Sequence, residues 1–370
     1  MKKLAFIVYF DVFALMLLGL VYVMSASSTY SAVKFEDTFY LFNSHFTRVL
    51  IGIVLMTAFA FIPYELLKDY SKILLIGATV LLVYTLMMAP IIKGSGRWIN
   101  IGIISFQPAD LAKLALIIHL AKMLVNKKDV LENYKYGFLS LFVWVGLVAI
   151  LILLQPNLSN AFLIVLIALA LMYVGGAKFT HILSTSALCI ILGGSAAMLY
   201  SHSRERILGF IKSIFESGEA NHQVLQAMVG LGSGGFFGVG LGFSKQNNLF
   251  LPEAYGDFIF AILGEELGFI GTVTVLVLFL TFFVAGVLIA KKAKDPFAQL
   301  LAFGITISVI IYAFVNIAVA SGVLPTTGLP LPFISYGGTS IFFTCIGVGM
   351  LINIAMSSNT IEQHIEVHEV

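Results

Sequence analysis

The chain has 370 residues, of which 59% are hydrophobic and only 11% are charged, whereas soluble domains carry about 25% charged residues. So few charges could not cover the surface of a soluble protein of this length, and the mean hydropathy of +1.01 indicates lipid as the solvent. The formal net charge of +2 gives no sign of a nucleic-acid partner. Cys189 and Cys345 lie singly in apolar runs, which is typical of core thiols and unlike a disulfide framework or a metal cluster.

Apolar runs long enough to span a bilayer recur along the chain, since a span needs about 20 apolar residues. They predict an all-α integral membrane protein with about ten transmembrane helices, at 6–25, 46–62, 73–91, 110–125, 137–154, 158–175, 182–200, 258–290, 298–321 and 339–356. One membrane domain would cover 1–356, with a large extracytoplasmic loop at 201–257 and a cytoplasmic tail at 357–370. Lys2 and Lys3 before the first run resemble a signal peptide, but the length of the run and Asp11 within it favour a retained helix.

The distribution of basic residues predicts the orientation. Ten spans place both termini on one side of the membrane. If that side is the cytoplasm, the short outer loops hold Lys34, Arg48, Lys93 and Arg97. The inner segments then hold Lys2, Lys3, Lys68, Lys72, Lys122, Lys127, Lys128, Lys135, Lys178, Lys291, Lys292 and Lys294. Because inner loops are enriched in Lys and Arg, this excess predicts cytoplasmic termini.

Irregular segments cluster on the predicted outer face, at 93–108, at the end of the long loop, and at 324–338. Irregular backbone at membrane depth is tolerated where protein buries it or where it lines a wet cavity. Together these segments predict a cavity open to the outer leaflet, with plain connecting loops as the alternative. Seven glycines between Gly230 and Gly242 resemble a phosphate-binding loop. No strand precedes them and no Gly-Lys-Ser/Thr follows, which favours a flexible or closely packed turn against membrane helices.

Charged residues within or at the ends of spans are functional candidates, because each costs about 3 kcal/mol in lipid. Asp110 and Lys113, three apart on one helix, are expected to face and neutralise each other. Glu265 and Glu266 are adjacent, so they point about 100° apart and cannot share a partner. Asp257, where the long loop enters the membrane, is the strongest candidate. Partial desolvation suits its carboxylate to a general base, and the N-cap of the eighth helix is an equally supported role.

Six motifs, in order and spread over nearly the whole chain, carry a family resemblance. They are Gly96-Arg97-Trp98, Phe106-Gln107-Pro108, Phe250-Leu251-Pro252-Glu253-Ala254, Asp257-Phe258-Ile259-Phe260-Ala261, Gly264-Glu265-Glu266-Leu267-Gly268 and Pro332-Phe333-Ile334-Ser335-Tyr336-Gly337-Gly338. Together they resemble the SEDS family, which comprises FtsW, RodA and SpoVE. Residues 23–27 and 240–246 resemble the division member, FtsW, more than the elongation member, RodA. Two motifs depart from the family pattern: Asp110 replaces the usual glutamate, and Asn157 replaces an aspartate.

The resemblance implies a peptidoglycan glycosyltransferase of the bacterial cytoplasmic membrane that polymerises lipid II at the outer face for division or elongation. It implies a class B penicillin-binding protein, which is a transpeptidase, and other division or elongation proteins as partners. A lipid II flippase and a non-catalytic scaffold for a transpeptidase are the alternatives. Inversion in one displacement needs a base on the acceptor hydroxyl and charge stabilisation on the departing pyrophosphate. We predict Asp257 as that base.

Substrate-binding residues are predicted from the same motifs and from the outer-face charges. They are Arg97, Lys113, Glu253, Lys245, Ser335, Tyr336 and Glu266. The outer-face cations available to stabilise the leaving group are Arg97, Lys113, Arg204, Arg206 and Lys245. Arg97 and Lys113 follow the family motifs best, and a solvated loop charge is the alternative for Arg204 and Arg206. A divalent cation, Mg²⁺ or Mn²⁺, is the alternative source of positive charge on the leaving group. The sequence assigns no ligands to such a metal.

Overall fold

The structure is a computed structural model that describes residues 1–89, 96–101, 104–215, 222–247 and 251–368. Its helices are α1 (Lys2–Phe35), α2 (Tyr40–Phe61), α3 (Tyr64–Met88), α4 (Pro108–Asn126), α5 (Leu139–Leu154), α6 (Leu158–Val174), α7 (Phe179–Leu199), α8 (Ser201–Phe215), α9 (His222–Ser233), α10 (Ile259–Lys292), α11 (Pro296–Ala320) and α12 (Ser340–His368). An antiparallel hairpin of β1 (Ile99–Ile101) and β2 (Ile104–Phe106) precedes α4. Lys93 and Phe250, which the sequence analysis singled out, lie outside the described residues.

Each of the ten predicted spans corresponds to a helix, namely α1 to α7 and α10 to α12. In the described part of the chain, eight helices are long and apolar enough to cross a membrane, and α6 is a shorter apolar helix. The tenth, α4, carries Asp110, Lys113 and Lys122 but is buried along most of its length. The protein is therefore a multi-pass membrane protein, as predicted. α12 is longer than its predicted span and continues into the predicted tail.

The helices pack as a bundle around α4, α11 and α12. α12 packs against α2, α10 packs against α1 and α11, and α3 packs against α4. The outward side chains of the bundle are apolar too, as at Leu280 and Phe314, because their solvent is lipid. α7 is the least packed span, with Ile190, Ile191 and Leu192 all exposed. The hydrophobic surface is therefore a consequence of the membrane and not of a missing core.

Two ion pairs show which connections share one end of the bundle. Lys68 at the start of α3 lies 3.9 Å from Asp295 between α10 and α11. Lys178 before α7 lies 3.0 Å from Glu132 between α4 and α5. These four connections are the ones that the basic residues assign to the inner side. The irregular segments therefore meet at the opposite end, next to the hairpin.

The predicted long loop contains α8, α9 and a glycine-rich turn that packs against α10. α10 is kinked at Gly268, whose φ is 66° and ψ −156°. Such a kink interrupts the helical hydrogen bonds, and the turn replaces them. Val239 N donates to the carbonyl of Glu265 at 3.0 Å, and Phe269 N donates to the carbonyl of Gly235 at 2.9 Å. Of the two kinds of turn expected, flexible or closely packed, the structure shows the closely packed one.

Candidate active site

One cavity of about 950 Å³ brings the three irregular segments together. Residues 97–98, Asp257 and most of 324–338 line it, together with α4 to α8, α11 and α12. The predicted meeting of these segments at one cavity is confirmed, and its opening to the outer leaflet stays a prediction. One part of its wall is charged and another part is apolar. The charged residues of the wall are Arg97, Asp110, Lys113, Arg206, Glu253 and Asp257, and the apolar residues of α5, α6 and α7 include Ile150, Leu153, Phe162, Ile190 and Leu192.

A hydrogen bond to its backbone carbonyl holds Asp257 at the cavity. The side-chain amide of Asn316, on α11, donates to the carbonyl of Asp257 at 2.8 Å and to that of Leu329 at 2.7 Å. Asn316 is 1% exposed, so both hydrogen bonds are shielded from water. α10 begins at Ile259 with Phe258 in the N-cap position. Asp257 therefore does not occupy the N-cap position, which was the alternative role, and its carboxyl group lines the cavity.

Ser335 and Tyr336 also fix the segment that carries Asp257. The Ser335 hydroxyl donates to the carbonyl of Gly256 at 2.7 Å and accepts from the backbone N of Leu331 at 2.7 Å. The backbone N of Tyr336 donates to the carbonyl of Tyr255 at 2.9 Å. Both residues line the cavity, as their predicted substrate-binding role requires. Their hydrogen bonds also show that residues 324–338 support the 255–257 segment.

Arg206, on α8, lies next to Asp257. A Cβ atom placed on Gly328 would be 3.5 Å from Asp257 Oδ2 and 3.7 Å from Arg206 Nη1, so both side chains approach one point of the 324–338 segment. Burial lowers the pKa of Arg206, while the charge of Asp257 favours the protonated guanidinium. The cavity therefore places a positive group beside the predicted base.

Arg97 reaches the same part of the cavity from the segment before β1. Its Nε donates to the carbonyl of Gln155 at 3.0 Å, and its Nη2 donates to the carbonyl of Pro156. Burial lowers the pKa of Arg97, and repulsion by Arg206 lowers it further. Two guanidinium groups thus line one cavity, and an anionic ligand bound there would offset the repulsion between them.

Lys113 and Asp110 face each other on α4, as predicted from their spacing. Lys113 Nζ lies 3.9 Å from Asp110 Oδ1 and 4.0 Å from the centre of the Tyr312 ring. The Tyr312 hydroxyl donates to Asn160 Oδ1 at 2.7 Å. Lys113, whose side chain is 12% exposed, thus lies between a carboxylate and an aromatic ring at the cavity wall. Among the described residues, no group of three or more His, Cys, Asp or Glu side chains is arranged to hold a metal ion.

The three remaining predicted binding residues lie in two different places. Glu253 is exposed and lines the cavity, whereas Lys245 is exposed outside it. Glu266 is fully buried and accepts hydrogen bonds from Ser25 Oγ at 2.5 Å and Gly242 N at 3.1 Å. Glu265 accepts from Ser244 Oγ at 2.5 Å and Lys245 N at 3.0 Å. The adjacent glutamates therefore bind different atoms of one segment, residues 242–246, and the expectation that they could not share a partner is wrong. Both glutamates tie the glycine-rich turn to α10, and the substrate-binding role of Lys245 and Glu266 stays a prediction.

The structure separates Arg206 from Arg204, which the sequence left together as leaving-group cations or solvated loop charges. Arg206 is half-buried at the cavity, whereas Arg204 is exposed. Helical periodicity was the signal that could have separated them. Ser203, Arg206 and Ile207 share one face of α8 at spacings of three and four and line the cavity together. Treating 201–257 as a loop without helices concealed this periodicity.

The amino-acid sequence of the chain matches a known protein family. The cell cycle protein family of FtsW, RodA and SpoVE matches residues 6–360. The chain belongs to this family. Among FtsW/RodA/SpoVE proteins, it is 36% identical over 344 residues to the probable peptidoglycan glycosyltransferase FtsW of Geobacter sulfurreducens, covering 92% of each chain. It is 34% identical over 348 residues to stage V sporulation protein E of Bacillus subtilis, covering 93% of this chain and 94% of that one.

Solved structures of FtsW/RodA/SpoVE proteins share the fold. One is a chain from a peptidoglycan synthase complex described for its coordination of polymerization and crosslinking, with a TM-score of 0.77 at 25% identity over 95% of this chain and 97% of that one. Another is the rod shape determining protein RodA of Thermus thermophilus, with a TM-score of 0.68 at 24% identity over 95% of this chain and 96% of that one. The resemblance inferred from the motifs is confirmed.

Proposed function

We propose that this FtsW/RodA/SpoVE protein is a peptidoglycan glycosyltransferase that polymerises lipid II at the outer face of the bacterial cytoplasmic membrane. The observation that carries the proposal is the position of Asp257. Its backbone is held by Asn316, and its carboxyl group lines a cavity that also contains guanidinium groups. The names of relatives such as the Geobacter FtsW protein support the same reaction.

The geometry supports a single displacement. Asp257 takes the proton of the sugar 4-hydroxyl of one lipid-linked disaccharide as that oxygen bonds to the anomeric carbon of the other. The bond from this carbon to the pyrophosphate breaks, its electron pair leaves with the pyrophosphate, and the carbon is inverted. Arg97 and Lys113 stabilise the charge on the leaving group. The apolar wall of α5, α6 and α7 accommodates the lipid chains.

The cellular setting is part of the proposal. Both termini lie in the cytoplasm, as the distribution of basic residues predicts. A class B penicillin-binding protein is the partner, and the similarity to a chain of a peptidoglycan synthase complex supports this. The FtsW names among the relatives favour a role in division over one in elongation.

The test is polymerisation of lipid II by the purified protein with its partner transpeptidase. Asp257→Asn should lower the rate by about 10²-fold or more because a general base is lost. Its thermal unfolding should stay unchanged, because Asn316 binds the backbone carbonyl. Glu132→Gln, at an exposed acid far from the cavity, is the control and should polymerise normally.

Three outcomes would contradict the proposal. Normal glycan chains from Asp257→Asn would exclude Asp257 as the base. A wild-type protein that moves lipid II across vesicle membranes without forming polymer would be a flippase. Polymer that depends on the partner alone would leave the protein as a scaffold.

A further inference from the structure

Arg206 shares the described cavity with an anion and a cation. Arg206 Nη1 and Asp257 Oδ2 approach the same point of Gly328, at 3.7 and 3.5 Å from a Cβ atom placed there. Arg97 lines the same cavity, and its guanidinium is anchored to the carbonyls of Gln155 and Pro156. Arg206 is half-buried, so water screens these opposing interactions only in part.

The two arginines differ in what holds them. Arg97 is fixed by two hydrogen bonds to carbonyls of the α5–α6 connection. Arg206 is placed in the cavity by α8, which turns Ser203, Arg206 and Ile207 to the same wall. Because the Arg206 guanidinium approaches Asp257 at Gly328 and is attracted by its charge, a stronger anion beside Arg97 would draw it away from Asp257. A pyrophosphate is such an anion, since it offers several oxygens to guanidinium groups.

We propose that Arg206 is a shared counter-ion, which faces Asp257 in the free protein and turns to the pyrophosphate of the lipid-linked donor, beside Arg97, when the donor binds. The inference rests on the proposed function and adds an order of events, in which the donor binds before Asp257 acts as the base. An unoccupied donor site leaves the base neutralised by Arg206. Occupation of that site withdraws Arg206, so the carboxylate of Asp257 becomes more basic when a donor is in place.

The test measures binding without turnover, which separates it from the test of the proposed function. The probe is undecaprenyl pyrophosphate, which lacks the sugars, added to the full-length protein in lipid nanodiscs. Arg206→Gln should weaken its binding about tenfold or more, because a charged contact to phosphate is lost. Asp257→Asn should tighten binding several-fold, because the competing carboxylate is removed. Arg204→Gln, two residues away and outside the cavity wall, should bind as the wild type does.

The double variant tests whether Asp257 and the pyrophosphate share Arg206. In the Arg206→Gln background, Asp257→Asn should no longer tighten binding, because the two substitutions act on one interaction. Thermal unfolding of each variant shows that the fold is kept. Equal binding by Arg206→Gln and the wild type would overturn the proposal. So would tightening by Asp257→Asn that persists in the double variant, because the carboxylate would then repel the probe directly.

Discussion

At the scale of single residues, the site depends on side chains that hold the backbone as much as on those that face the cavity. Asn316 and Ser335 use their polar atoms on the carbonyls of Asp257, Leu329 and Gly256. Buried carbonyls without a donor are costly, so these two side chains both stabilise the segment and fix the direction of the carboxylate. Asn316 did not stand out in the sequence, because an asparagine within an apolar helix predicts no particular partner.

Asn316→Leu should therefore affect both stability and catalysis. It leaves two buried carbonyls without a donor, which should lower the free energy of unfolding by about 1–3 kcal/mol. Because Asp257 loses its anchor, the polymerisation rate should also fall, by about 10²-fold. Thermal unfolding in detergent and the lipid II assay measure the two effects.

Asn353→Leu is the matched control. Asn353 is also buried, donates to the carbonyl of Ala60 at 2.9 Å and accepts from Tyr64 N at 3.2 Å, away from the cavity wall. It should lower stability with little loss of rate in the remaining folded protein. If both variants lost activity only in proportion to stability, Asn316 would have no positioning role.

At the scale of elements, α10 and the glycine-rich turn form one unit. α10 has 34 residues, which is about 50 Å of helix, whereas the hydrocarbon core is about 30 Å thick. The turn covers the first part of α10, around Glu265 and Glu266. A Cβ atom on Gly238 would lie 2.1 Å from the carbonyl oxygen of Glu266, and its φ is +82°. The turn can approach α10 this closely only because glycine stands there.

Gly238→Ala should therefore separate the turn from α10. A clash with backbone atoms and a strained φ together should lower the free energy of unfolding by about 1–3 kcal/mol or more. Gly232→Ala on α9 is the control, since a Cβ atom there meets nothing within 4 Å. A drop in the unfolding temperature of the first variant only is expected. Equal unfolding temperatures would show that the turn is not packed as described.

At the scale of the whole molecule, one end of the bundle is basic and the other carries the cavity. The ion pairs Lys68–Asp295 and Lys178–Glu132 lie at the basic end. The positive-inside rule predicts that this end faces the cytoplasm. On that prediction the cavity faces the outer leaflet, where the proposed glycan strand would form.

Single cysteines should report this orientation. In a background with Cys189→Ala and Cys345→Ala, a membrane-impermeant maleimide should label Arg204→Cys in intact cells. It should label Lys128→Cys only after the membrane is permeabilised. Both native residues are exposed, so access is not limited by packing. Labelling of Lys128→Cys in intact cells would reverse the assigned orientation.

The sequence by itself determined the apolar spans, a glycine turn against the membrane helices, the facing of Asp110 and Lys113, and the place of Asp257 where the long loop meets a helix. Each of these follows from local spacing or from the cost of polar groups in lipid, which a sequence displays directly. Only the tertiary structure decided that Arg206 lies beside Asp257, that Asn316 anchors it, and that Glu266 and Lys245 lie outside the cavity wall. These depend on which helices meet, and packing among apolar helices is set by shape complementarity spread over many residues.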